Sequence, residues 1–234
     1  PAAKIPGIYV PQFYHQEYQG DSMVEFKAEP KAFERVQRHW VKEGSSDLCT
    51  HSVLHDEVST FKDMSLMEVT RGCIWACRFC TAGFIYRPPR LPDLKLAYSS
   101  LEQVLAGQGK LVSTVGLVGP SVTDHPEILP LARKIVEDGK KLSFSSLRME
   151  TLTDELVDLI KKSGQKTLTV AVDGPSERMR RVINKQATDD FIVEKCQFLT
   201  EMGILHLKIY SIIGLPGETE EDIDHFIALV ERVM

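Results

Sequence analysis

The chain has 234 residues, 43% hydrophobic and 26% charged, with a formal net charge of −5, which is enough length for one sizeable core and an ordinary composition for a globular protein. No long basic run suggests a nucleic-acid partner, and no apolar run reaches the length needed to span a bilayer. No signal peptide opens the chain, so its cysteines read as reduced thiols of a cytoplasmic protein.

The chain begins at Pro1 without Met and ends at Met234 within an expected helix, so it reads as a piece of a longer protein. Residues 1–62 show no sustained periodicity and are expected to form an irregular lead-in that packs on a core at 63–234. Within the lead-in, Val24–Lys27 alternates like a short strand, Lys31–Val41 is a candidate for another, and Tyr9, Phe13, Tyr14 and Tyr18 form its expected small core. From Met64 the pattern becomes strand then helix, repeated. Strands are expected at Met64–Thr70, Thr114–Gly119, Lys141–Ser146, Thr167–Val172 and His206–Ile213. Helices are expected at Ser100–Gly107 with Ser99 or Ser100 as N-cap, from Asp124–Glu127 to Asp138, from Thr153 to Gly164, at Asp189–Met202 and at Thr219–Val233. Five β-α units in a row predict a parallel sheet with outer helices.

Three of the five cysteines, Cys73, Cys77 and Cys80, fall within eight residues as Cys-x3-Cys-x2-Cys, directly after the first of these strands. Clustered thiolates are costly to bury without a cation, so the spacing points to a soft metal or an iron–sulfur cluster. A structural zinc site would close its tetrahedron with a fourth ligand at short spacing, yet no His lies between His55 and His125, and Cys49 and Cys196 are distant. Three thiolates on a four-iron cluster leave one iron open to a substrate or cofactor.

The motif, with Phe79 before the last cysteine, resembles that of the radical S-adenosylmethionine (SAM) enzymes. The resemblance implies a [4Fe-4S] cluster on Cys73, Cys77 and Cys80 whose open iron is chelated by SAM, and reductive cleavage of SAM to methionine and a 5′-deoxyadenosyl radical. It also implies an open partial TIM barrel of five to six β-α units, with a doubly wound sheet as the structural alternative. The run Thr81–Arg90, the lead-in Ile5–Val10, Ser146-Leu147-Arg148 and Arg181–Lys185 resemble B12-binding-domain-containing radical SAM proteins of unassigned function. In such proteins a cobalamin domain would precede Pro1.

Carried over from this resemblance, the candidate SAM contacts all lie just past strand ends. Gly119, Pro120 and Ser121 stand where the methionine amino group would be received, although a plain helix-capping turn explains them equally. Ser146 and Arg148 face the same mouth, with Arg148 a partner for the SAM carboxylate or, alternatively, for Glu150. Asp173 would accept the ribose hydroxyls, in a sequence that departs from the family's usual Glu-Ala-Gly-Ser, and Arg178 is a second candidate for the carboxylate. Ile212 and Gly214 would line the adenine, and Phe79 would shield it and the cluster; Trp75 either shares that shielding or anchors the loop. The turn Gly214–Thr219 also resembles methylthiotransferases that modify tRNA or protein. The implied reductant is a flavodoxin or ferredoxin. A module of another class, binding zinc or a cluster without catalysis, is the competing reading.

Overall fold

A computed structural model describes residues 2–40, 50–56, 58–108, 112–145 and 147–234. The chain divides into two compact units, Pro1–Ser45 and Ser46–Met234.

In the first unit, β1 (Tyr14–Gln19) and β2 (Ser22–Ala28) pair antiparallel. Val24–Lys27 lies within β2, whereas β1 escapes sequence reading because Tyr-His-Gln-Glu-Tyr-Gln buries only its first residue. Residues 31–40 contain no strand, correcting that expectation, and Val41 lies outside the described residues. Of the four aromatics expected in a core only Tyr14 is buried; it stacks on Phe26 at 5.4 Å between ring centres, while Tyr9 and Tyr18 are exposed.

The second unit carries five parallel strands in two groups. β3 (Met64–Glu68), β4 (Thr114–Val118) and β5 (Lys141–Phe144) form one sheet in that order, and β6 (Thr167–Asp173) and β7 (His206–Ser211) pair separately. Residues 50–52 add a short antiparallel pairing to the outer edge of β3, where Ser52 N–H donates to Leu66 O at 2.8 Å and Glu68 N–H to Thr50 O at 2.8 Å. Among the described residues β5 and β6 share no ladder, and a cavity of about 310 Å³ opens along the seam, lined by Ser143, Phe144, Thr167, Thr169 and Tyr210. The architecture is an open α/β sheet, not a closed barrel.

The helices are α1 (Ala82–Ile85), α2 (Leu94–Gln108), α3 (Ile128–Glu137), α4 (Asp154–Lys162), α5 (Glu177–Val182), α6 (Asp189–Glu201) and α7 (Glu220–Val233). α3 buries Ile128, Leu131, Ala132 and Ile135, the i, i+3, i+4, i+7 stripe of a helix with one apolar face. Each such large aliphatic side chain stabilises the fold by roughly 1.5–3 kcal/mol. Thr153, Ser176 and Thr188 cap α4, α5 and α6 by accepting from backbone N–H groups, and Thr219 with Asp222 forms a capping box on α7.

α2 starts six residues before the expected Ser100. Its cap is Asp93, whose Oδ1 accepts from Lys95 N–H at 2.9 Å and Leu96 N–H at 3.1 Å, whereas Ser99 lies within the helix and donates to Lys95 O at 3.0 Å. The short α1 and α5, at four and six residues, are too brief to show helical periodicity in the sequence.

Two cores result. One gathers β3 to β5 with α2 and α3 around Met67, Leu101, Leu117 and Ile135; the other gathers β6 with α4 and α6 around Leu156, Ile160, Val170 and Ile192. Leu129 and Phe144 pack against both.

Candidate active site

The cysteine loop leaves the C-terminal end of β3 and is closed on itself. Arg71 N–H donates to Arg90 O at 3.0 Å and Arg90 N–H returns to Arg71 O at 2.8 Å, so the segment carrying all three thiols is clamped at its base. Gly72 has φ +89°, and a Cβ there would lie 2.3 Å from Tyr86 O; a Cβ on Gly83 would lie 2.4 Å from Trp75 O. Two glycines thus permit the backbone to cross itself inside the clamp.

Cys73 and Cys77 are buried and Cys80 is half-buried, all three as free thiols. Burial pushes the Cys73 thiol up, a backbone hydrogen bond from Trp75 opposes this, and the nearby Asp124 and Cys77 add to the rise while Arg148 counters it. A buried thiol held protonated in this way becomes a ligand once a cation arrives to share its charge. Among the described residues no three His, Cys, Asp or Glu side chains are already drawn together as a metal site. The donor chemistry nevertheless fits a cluster: three unpaired thiols on one clamped loop. The surroundings also fit a polar cofactor, because Thr70 Oγ1, Arg148 Nε and Ser211 Oγ, just past or at the ends of β3, β5 and β7, are buried without a hydrogen-bond partner.

Side chains from later strand ends hold the loop in place. Arg78 N–H donates to Ile183 O at 2.9 Å, and its guanidinium donates to Val182 O. Asn184, at φ +61°, donates from Nδ2 to Ala76 O at 2.9 Å. Trp75 reaches across the mouth: its indole N–H donates to Asp124 Oδ2 at 2.6 Å, and the Arg148 guanidinium lies 3.9 Å from its ring centre. Asp124 Oδ2 also accepts from Ser121 Oγ at 2.6 Å.

The residues expected to contact SAM stand as follows. Ser121 is buried and bonded to Asp124, and Gly119 packs on Thr70, where an added Cβ would meet Oγ1 at 2.1 Å; Pro120 is exposed. Ser146 lies outside the described residues. Arg148 pairs with Glu150 at 2.7 Å besides stacking on Trp75. Asp173, at φ +64°, forms an ion pair with the buried Lys185, whose Nζ also donates to Ala171 O at 2.7 Å. Arg178 does not reach into the mouth: its guanidinium pairs with buried Asp222 and donates to Gly217 O at 2.9 Å. Asp222 is held well below the usual carboxylate range, first by Arg178 and then by Ser176. Ile212 is half-buried and tied to β6 by its N–H to Asp173 O at 2.7 Å. Gly214 is exposed at φ +86°, with its N–H on Glu218 Oε1 at 2.9 Å, and Phe79 is 43% exposed.

A cavity of about 500 Å³ opens beside the loop, lined among others by Trp75, Arg148, Glu150, Lys185, Thr188 and Phe191. Of the expected contacts among the described residues, only Arg148 lines it. Asn184 and Lys185 were visible in the sequence as part of a matching run, but nothing local marked one as a tether of the cysteine loop and the other as the partner of Asp173. Arg180, just outside that run, was missed altogether; it is fully buried and donates to Ala187 O at 2.7 Å and Gly174 O at 3.2 Å.

A family model described as the radical SAM superfamily matches residues 67–230. An uncharacterised protein of Methanocaldococcus jannaschii is 38% identical over 169 residues, covering 72% of this chain and 37% of that one. A ribosomal protein uS12 methylthiotransferase of Clostridium novyi is 24% identical over 186 residues, covering 75% and 42%. The chain therefore spans well under half the length of these relatives. Among solved structures, a radical SAM methyltransferase from Kitasatospora setae, TsrM, superposes with a TM-score of 0.56 at 19% identity over 72% of this chain and 34% of that one, in a complex with tryptophan and a SAM analogue. A further structure of that protein holds cobalamin and a [4Fe-4S] cluster. At this identity the superposition speaks for the fold.

Proposed function

The chain belongs to the radical SAM superfamily, and from that premise we propose that it is the SAM-cleaving domain of an enzyme, with Cys73, Cys77 and Cys80 as the ligands of a four-iron cluster. The observation that carries this reading is the clamped loop, with three free thiols in eight residues and no His between His55 and His125 to complete a zinc site. When bound, the cluster supplies the electron that cleaves SAM to methionine and a 5′-deoxyadenosyl radical. The chain's own residues position and shield the SAM. Gly119, Pro120, Ser121 and Ser146 are assigned to the methionine amino end, Arg148 to the carboxylate, Asp173 to the ribose hydroxyls, and Ile212 and Gly214 to the adenine, with Phe79 covering the loop. Arg178, committed to Asp222, is assigned to holding the Gly214–Thr219 turn against α5, in place of a direct SAM contact.

For the reaction that follows we favour methyl transfer assisted by a corrinoid held elsewhere in the full-length protein, which is supported by the match of the Thr81–Arg90 run to B12-binding-domain proteins. Methylthiolation of tRNA or a ribosomal protein is the second reading, favoured by the Gly214–Thr219 turn and by the methylthiotransferase among the relatives. The electron donor is assigned to the flavodoxin or ferredoxin class and the compartment to the cytoplasm; no helix among the described residues is long and apolar enough to cross a membrane.

Anaerobic reconstitution tests the reading. It requires about four iron and four sulfide per chain and 5′-deoxyadenosine on adding SAM and dithionite. Cys77→Ala is expected to abolish both, whereas Cys196→Ala, in the second core and remote from the loop, leaves both intact. Stoichiometric zinc with no SAM cleavage would overturn it.

A further inference from the structure

Trp75 occupies a position between the first two cysteines that donates nothing to a metal, yet its side chain meets residues beyond two later strands. Its N–H is fixed on Asp124 at 2.6 Å, beyond β4, and its ring carries the Arg148 guanidinium at 3.9 Å, beyond β5. Arg148 is only 15% exposed, and its other hold is Glu150 at 2.7 Å. A guanidinium with one face covered by an indole keeps its donors in the plane of the stack, so a ligand must approach edge-on, the geometry of a carboxylate fork. The Nε donor is still unspent and buried, and the same side chain lines, with Trp75, the cavity of about 500 Å³ beside the cysteine loop. Glu150 alone would leave the guanidinium free to swing about a single contact, and the indole removes that freedom.

We propose that Trp75 is a positioning residue: it holds Arg148 edge-on to the cavity, so that the grip on the carboxylate of a bound amino-acid group depends on an indole in the cysteine loop. This rests on the reading of the chain as a SAM-binding domain. It adds that the loop presenting the thiols also sets the geometry of the carboxylate site.

The test uses the cluster-loaded chain and two probes, with binding read by calorimetry. S-adenosylhomocysteine carries the amino-acid carboxylate, and 5′-methylthioadenosine carries the nucleoside without it. Trp75→Leu is expected to weaken S-adenosylhomocysteine at least tenfold and leave 5′-methylthioadenosine within about twofold. Trp75→Phe, which keeps a ring under Arg148 but loses the Asp124 bond, should restore most of the difference. In an Arg148→Gln background, Trp75→Leu should cost nothing further, because coupled residues are not additive. Equal weakening of both probes, no weakening of either, or additive losses in the double variant would overturn the proposal. If Trp75→Leu takes up no iron, the comparison moves to Trp75→Met, and S-adenosylhomocysteine held within twofold of the parent chain by Trp75→Met or by Arg148→Gln overturns it. Failure of the parent reading looks different: the unsubstituted chain would then load no cluster and cleave no SAM.

Discussion

At the scale of single residues, the polar side chains around the mouth fall into two groups. Thr70, Arg148 and Ser211 retain unspent hydrogen-bonding capacity, while Arg178, Arg180 and Asp222 are consumed in holding turns together. The sequence shows the residue types and their places after strand ends, but not this division, because Arg178 and Asp222 are separated by 44 positions and meet only through the pairing of β6 with β7. Asp222 makes the division measurable. A carboxyl held low in the folded state stabilises fully above the unfolded value, near pH 4, and that contribution is lost as pH falls toward the lower folded value. Asp222→Asn should therefore melt at a lower temperature than the parent chain at pH 7, with the gap narrowing below about pH 4. A gap that stays constant from neutral pH down to about pH 3 would show that the ion pair is not its source.

At the scale of elements, local chemistry made most of the second unit legible. The helix starts at Thr153 and Thr219 were readable, and the apolar runs of β3 to β7 were readable as strands, with observed ends within two residues of those expected. α2 was misjudged because two serines in its interior look like caps, whereas the true cap, Asp93, follows a proline in what reads as a loop. Asp93→Ala should cost about 1 kcal/mol of stability in denaturant melts, while Ser99→Ala, which removes only a bond back to Lys95 O, should change little. Comparable losses from both would place the helix start where the sequence alone suggests it. The hairpin of the first unit was half legible for the opposite reason: β2 alternates, but β1 is polar on both faces and is defined by its partner, which no local pattern reveals.

At the scale of the whole molecule, the second unit is two packed halves that share few side chains. Phe144 and Leu129, both half-buried, pack against both cores, so Phe144→Ala should do more than remove apolar contacts at a cost of about 1–3 kcal/mol. It should also lower the urea m-value as the halves cease to unfold together, read in a Trp40→Phe background by comparing circular dichroism with the emission of Trp75 in the first half. Unchanged m with coincident transitions would mean that the other contacts suffice. The division itself was invisible in the sequence, where five β-α units read as one continuous sheet. Among the described residues several contacts cross it besides the shared core: α3 packs on α4, with Arg133 paired to Glu155, Thr151 Oγ1 donates to Thr123 Oγ1, Arg148 stacks on Trp75, and the cysteine loop is bonded to residues 182–184. The thiol loop therefore also ties the two halves together, so that losing its fold would strip hydrogen bonds from the seam as well as thiols from the site.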